Sequence, residues 1–136
     1  MVVDGVVVAM VENDSESFTA GLDARTGVNR WKLDRPKKAN WTSPVVFKSP
    51  GQPNRVLLQS AQGVTAVDPT TGKIAWDITE GASTVPSLVV SQGRLVIPAN
   101  GITVVEPGAG DAKPKSIWRS AQLRPGTASP VVVGGR

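Results

Sequence analysis

The stretch Gly63-Val64-Thr65-Ala66-Val67-Asp68-Pro69-Thr70-Thr71-Gly72-Lys73-Ile74-Ala75-Trp76 decides the fold. Val64 and Ala66, then Ile74 and Trp76, recur at every second position, the signal of a strand. Between the two runs, Asp68-Pro69-Thr70-Thr71-Gly72 reads as a tight turn. Pro69 fixes φ for the turn, the Asp68 carboxylate can accept hydrogen bonds from turn N–H groups, and Gly72 can take the positive φ that re-enters the second strand.

The unit has a second copy upstream. Asp23-Ala24-Arg25-Thr26-Gly27 repeats the turn chemistry, and Trp31 follows at the same offset as Trp76. A third cycle ends at Trp118 but replaces the compact turn with a Gly/Pro-rich connection over residues 106–115. Other strand candidates fall at 6–11, 18–23, 28–33, 45–47, 55–59, 88–90, 95–97 and 102–105. The run 6–11, β-branched and apolar, reads as a strand buried on both faces. Asp4-Gly5, Ser91-Gln92-Gly93 and Asn100-Gly101 are hairpin turns. Ser129-Pro130-Val131-Val132-Val133 opens a fourth cycle with one more strand. No window supports a helix.

The landmarks keep a near-constant spacing: Asp23 recurs as Asp68, Trp31 as Trp76 and Trp118, and Pro44 as Pro86 and Pro130, at intervals of 42 to 45 residues. A period of that length with about four strands per unit indicates an all-β protein, a β-propeller segment of three four-stranded antiparallel blades. The blade-equivalents span residues 1–41, 42–84 and 85–128, with a fourth beginning at 129–136. Trp31, Trp76 and Trp118 then serve as wedges between neighbouring sheets. Short, evenly spaced strands would also suit a β-sandwich, but the constant period argues against it.

Composition narrows the chemistry. The chain has 136 residues with neither Cys nor His, so it can build no thiolate nucleophile, imidazole base or Cys/His zinc site. Fifteen basic against eleven acidic residues give a net charge of +4, spread along the chain. No basic stripe with interleaved aromatics exists, which argues against nucleic acid as a partner. The N-terminus has neither a basic n-region nor an apolar h-region, so the segment holds no signal peptide, and no apolar run approaches membrane-span length.

The patterns Asp23-x-x-Thr26-Gly27-x-x-x-Trp31 and Asp68-x-x-Thr71-Gly72-x-x-x-Trp76 resemble the pyrroloquinoline-quinone (PQQ) type propeller repeat, A-x-D-x-x-T-G-x-x-x-W. Ala66 matches the leading Ala, where the first copy has Gly21. The third copy departs, with Glu106 in place of Asp. The Ser-Pro steps Ser43-Pro44 and Ser129-Pro130 fit as well, with Val85-Pro86 in the second cycle. The resemblance implies a parent ring of about seven or eight blades, closed in cis or by self-association, since a closed propeller needs roughly four blades or more. It also implies a periplasmic or otherwise extracytoplasmic location.

In a propeller the inter-blade connections, here 34–42, 79–84 and 121–128, lie on one face around the central opening. Arg35, Lys37, Lys38, Asn40 and Trp41 form a basic, aromatic group on that face, to which Arg119 and Arg124 add charge. They are candidates for holding an acidic partner segment or a carboxylate-bearing cofactor; the bland reading is a solvated loop with Trp41 wedged between blades. Asp23 and Asp68 read as turn caps rather than catalytic carboxylates. Asp34, Asp77 and Glu80 could offer oxygens to Ca²⁺ but form no clustered ligand pattern. Two functions follow. One is a non-catalytic binding scaffold without a cofactor, taking protein or peptide segments, as in PQQ-like propellers of envelope assembly or sensor domains. The other is part of a PQQ-dependent quinoprotein dehydrogenase, whose PQQ and Ca²⁺ ligands would lie mostly in other blades.

Overall fold

The computed structural model describes residues 1–134, and within them the chain is all strand and loop. Twelve strands form: β1 (Val2–Val3), β2 (Val6–Val11), β3 (Phe18–Asp23), β4 (Asn29–Asp34), β5 (Val45–Phe47), β6 (Arg55–Ser60), β7 (Gly63–Val67), β8 (Ile74–Ile78), β9 (Val89–Ser91), β10 (Arg94–Ala99), β11 (Gly101–Glu106) and β12 (Lys115–Ser120). They make three antiparallel four-stranded sheets, β1–β4, β5–β8 and β9–β12, with every strand beside its sequence neighbour. Among the described residues no helix is long and apolar enough to cross a membrane.

Alternation along each strand sends side chains to two faces, and two cores result. Val3, Val6, Val8 and Trp31 of the first sheet meet Val56, Leu58 and Val67 of the second. Leu57, Val64, Ala66 and Trp76 leave the other face of the second sheet to meet Leu88, Leu95, Ile97 and Val105 of the third. In the sandwiched sheet β6 is buried on both faces, with residues 56–59 all inaccessible. The run 6–11, expected to be buried on both faces, is not: Val6 and Val8 are covered, Val7 and Ala9 are half-buried and Val11 is exposed. An apolar run records that a strand is in a core but not whether its sheet has one neighbour or two.

The wedges divide in the same way. Trp31 and Trp76 are 9% and 5% exposed, but Trp118 is 46% exposed, because the third sheet has no further sheet against it among the described residues. Each Trp follows a β-bulge. The registers slip between Gly21 and Leu22, Ala66 and Val67, and Val104 and Val105, leaving Arg30, Ala75 and Ile117 as extra residues directly before the three indoles. A bulge twists its strand and re-aims the next side chain. The residue paired with each Trp grows from Gly21 to Ala66 to Val104. Only the first lets the indole lie back over its own sheet: a Cβ on Gly21 would stand 2.1 Å from Trp31 Nε1.

Two expectations are corrected. The Ser-x steps run Ser43, Ser87 and Ser129, since the Ser43 N–H donates to Ser87 Oγ at 2.9 Å and the Ser87 N–H to Ser129 Oγ at 3.0 Å. The counterpart of Ser43-Pro44 is thus Ser87-Leu88, not Val85-Pro86. Residues 131–133 form no strand: Val131 is 80% exposed and finds no ladder partner among the described residues. Residues 135 and 136, the end of the expected fourth unit, lie outside the described residues.

Candidate functional site

The connections split between the two ends of the sheets. At one end the Ala24 N–H donates to Gly5 O, which brings the Asp23 turn beside the β1–β2 turn. At the other, the Gly81 N–H donates to Gln62 O and the Ser83 N–H to Pro98 O, so inter-sheet connections gather with the β6–β7 and β10–β11 turns. The basic, aromatic group belongs to this second, connection end.

Its members fall into two sets. Arg35 points inward: its side chain is 4% exposed and that of Glu12 1%. Arg35 Nε donates to Glu12 Oε1 at 2.8 Å, Nη1 to Thr65 Oγ1 at 3.0 Å and Nη2 to Leu58 O at 3.1 Å. Asn40 Nδ2 donates to Glu12 Oε2 and to Gln59 O, both at 2.7 Å, while Asn40 Oδ1 accepts from the Thr42 N–H and hydroxyl. These bonds tie the end of β2 and the 35–42 connection to the second sheet. Arg35 and Asn40 are therefore structural ties, their donors committed to the protein itself.

Lys37, Lys38 and Trp41 face solvent on the same connection, Trp41 at 70% exposure, so it is not wedged between sheets. The Trp41 N–H is held by Thr84 O at 2.8 Å. Arg119 on β12 and Arg124 beyond it are exposed, and Arg124 Nε turns back to Ala121 O at 3.2 Å. No hydrogen bond or ion pair among the described residues joins this pair to Lys37, Lys38 or Trp41.

Two residues central to this end escaped the sequence reading. Glu12 is the buried partner of Arg35. Gln59, fully buried, donates through Nε2 to Ser83 O at 2.6 Å and Pro86 O at 2.9 Å, and accepts from the Leu88 N–H at 2.7 Å. It fastens the second sheet to the entry of the third. The available signal was its place inside an apolar strand, since a buried amide must have partners.

At the turn end, Asp23 Oδ1 accepts from the N–H groups of Arg25 and Thr26 at 2.9 and 2.8 Å, and Asp68 Oδ1 accepts from those of Thr70 and Thr71 at 2.8 and 3.0 Å. Both carboxylates are turn caps. The Arg30 guanidinium and the turn N–H groups hold the Asp23 carboxyl well below its ordinary range. Burial pushes Asp68 up, but the Thr70 hydroxyl and the Thr70 and Thr71 N–H groups outweigh it and leave the group lowered.

Among the described residues no group of three or more acidic side chains converges, so Asp34, Asp77 and Glu80 do not form a shared oxygen cage. Glu12, the carboxylate sealed inside the connection end, is already engaged by Arg35 and Asn40.

No curated protein matches the sequence. Among solved structures the chain is similar to a quinohemoprotein alcohol dehydrogenase, ADHIIG from Pseudomonas putida HK5, with a TM-score of 0.62 at 25% identity over 88% of this chain and 19% of that one. A europium-containing methanol dehydrogenase superposes with a TM-score of 0.58 at 14% identity over 88% of this chain and 23% of that one, a likeness of fold. The chain thus spans about a fifth of the length of these structures, and its three sheets are propeller blades. A family model described as outer membrane protein assembly factor BamB matches residues 1–106, and the chain belongs to this family of PQQ-like propeller repeats.

Proposed function

We propose that this chain is a non-catalytic binding and scaffold segment of a PQQ-like propeller, taking protein or peptide segments in the cell envelope, outside the cytoplasm. The observation that supports it is the division of the 35–42 connection. Beneath, Arg35 and Asn40 are locked to Glu12 and the second blade. Above, Lys37, Lys38 and Trp41 are presented from that fixed base, and neither ammonium group is in an ion pair among the described residues. An exposed indole beside two unpaired cations suits an extended peptide with acidic and apolar side chains, aromatic and cationic groups being typical anchors of such interfaces. Arg119 and Arg124 extend the positive field without making the continuous stripe that nucleic acid needs.

Further blades, in cis or by self-association, complete a ring of about seven or eight in this reading. Trp118 would enter a neighbour as Trp31 enters the second blade. By the repeat, the first blade offers such a socket at Gly27, where an added Cβ would meet nothing within 4 Å.

The test is fluorescence anisotropy of a labelled extended peptide rich in Asp and Leu. The K37E/K38E double variant should bind about tenfold or more weakly, with the loss falling on association and on salt dependence. Equal binding by that variant would remove the reading. A second reading, part of a PQQ-dependent dehydrogenase with cofactor and Ca²⁺ held by other blades, draws support from the likeness to ADHIIG. It predicts alcohol or sugar oxidation by the protein with PQQ, Ca²⁺ and an electron acceptor, and robust turnover would put it in place of the first.

A further inference from the structure

The connection that carries Lys37, Lys38 and Trp41 has a neighbour of the same build and the opposite charge. The first connection leaves β4 after Asp34 and reaches Ser43. The second leaves β8 after Ile78 and reaches Ser87, an equal length. Where the two approach their next strands they are bonded side by side. The Ser43 N–H donates to Ser87 Oγ at 2.9 Å and the Trp41 N–H to Thr84 O at 2.8 Å. Trp41 therefore stands beside Val85, and the two are 70% and 40% exposed. Nearer the strands they leave, each connection leans on a turn of its own blade. The Ala39 N–H donates to Asp14 Oδ1 at 3.1 Å, in the β2–β3 turn, and the Gly81 N–H to Gln62 O at 3.1 Å, in the β6–β7 turn. Lys37 and Lys38 lie next to the first of these ties and Glu80 next to the second, all three exposed.

Two rows thus cross from one connection to the next. One is apolar, Trp41 and then Val85. The other is charged, the two lysines and then Glu80. None of these three charges is in an ion pair among the described residues. Asp14 sits near the lysines, but its Oδ1 is engaged by the Ala39 N–H. The change of sign matters to any ligand long enough to reach both connections. Packed sheets stand about 10 Å apart, a step that about three residues of extended chain cover. An acidic peptide of that reach gains at the lysines and is repelled at Glu80. A peptide with acidic residues at one end, apolar residues in the middle and basic residues at the other end suits both rows. Sliding that peptide by one blade sets its acidic end on Glu80, so the repulsion also fixes its register.

We propose that the connection end selects mixed-charge segments: an extended peptide whose acidic residues meet Lys37 and Lys38, whose apolar residues lie on Trp41 and Val85, and whose basic residues meet Glu80. The proposal rests on the peptide-binding reading above and adds to it the second connection and the sign of the charge there.

The experiment is fluorescence anisotropy of the full chain with two labelled peptides of equal length, Asp-Asp-Leu-Leu-Lys-Lys and Asp-Asp-Leu-Leu-Asp-Asp. The mixed-charge peptide should bind about fivefold or more tightly than the all-acidic one. E80K alters an exposed side chain. It should retain the wild-type circular dichroism and melting temperature while inverting the order of the two affinities. K37E/K38E should weaken the all-acidic peptide. If the all-acidic peptide binds the wild type as tightly as the mixed one and still responds to K37E/K38E, the proposal is overturned and the peptide-binding reading stands. An order of affinities that E80K leaves unchanged overturns it equally. Absence of saturable binding by either peptide, or indifference of the all-acidic peptide to K37E/K38E, removes the underlying reading and the proposal with it.

Discussion

The two joints are built from the same repeat, yet they hold by different means. At the connection end the first joint uses a buried ion pair, Glu12 with Arg35, completed by Asn40. The second uses a neutral amide, Gln59, bonded to Ser83, Pro86 and Leu88. At the turn end the first joint is closed, with an indole on a glycine and its N–H on a carbonyl. The second is open, with a cavity of about 440 Å³ beside Trp76 under the 49–54 and 107–114 loops. A repeat fixes where sheets meet. The residues that differ between copies fix whether the meeting is a seal or a pocket.

Removing the stitches tests this contrast most severely. Glu12→Ala leaves the Arg35 charge buried without a partner and should destabilise the chain by about 3–5 kcal/mol, as breaking a buried pair does. Gln59→Ala leaves only neutral groups unsatisfied, at about 1–3 kcal/mol. Chemical denaturation of both variants measures the gap, and equal losses would mean that charge at the first joint adds nothing beyond hydrogen bonding. Next comes Gly72→Ala. Its φ is +71°, and the new Cβ would stand 2.6 Å from the Trp31 ring, a backbone and packing conflict together worth about 2–3 kcal/mol. Gly93→Ala, with a similar φ of +74° but nothing within 4 Å, isolates the backbone share and should cost about 1 kcal/mol. A smaller effect separates the wedges. Trp31→Phe loses the bond to Pro69 O and Trp76→Phe loses none to protein, so the first should melt lower, by a difference of about 1 kcal/mol.

What the sequence made legible follows the range of the interactions concerned. The turn at Asp68 and Gly72 is decided within five residues, so its chemistry could be read directly, and the constant interval between copies carried that local reading to the architecture. Arg35 and Asn40 misled because polar side chains on a loop are commonly solvated, whereas their partner Glu12 lies far back along the chain, at the end of a run that advertises only its valines. Pro86 misled in another way. It copies the identity of Pro44 two residues out of register, and only the Ser43–Ser87–Ser129 chain of hydrogen bonds reveals the true equivalence. Trp118 shares its residue type and register with Trp31 but not its burial, since burial depends on what stands against the sheet. The cavity beside Trp76 was invisible because it arises from two loops, 49–54 and 107–114, whose meeting no periodicity records.

The smallest effect compares the two turn caps through pH. Both carboxyls lie below the ordinary value of 3.8 when folded, so each contributes stability that is complete above that value and is lost as pH falls toward the depressed folded value. The causes differ. Asp23 owes its shift first to Arg30, an ion pair that mobile ions screen. Asp68 owes its lowering to hydroxyl and N–H donors within its own turn, which salt leaves intact. NMR titration of the two side-chain carboxyls in low salt and in about 1 M salt should therefore move Asp23 toward its ordinary value and leave Asp68 in place, the screening length at that ionic strength being about 3 Å. Arg30→Gln should raise Asp23 in the same direction without salt. If both carboxyls respond alike to salt and neither responds to Arg30→Gln, the two turns are held by the same backbone donors and the Arg30 pair adds nothing to the first.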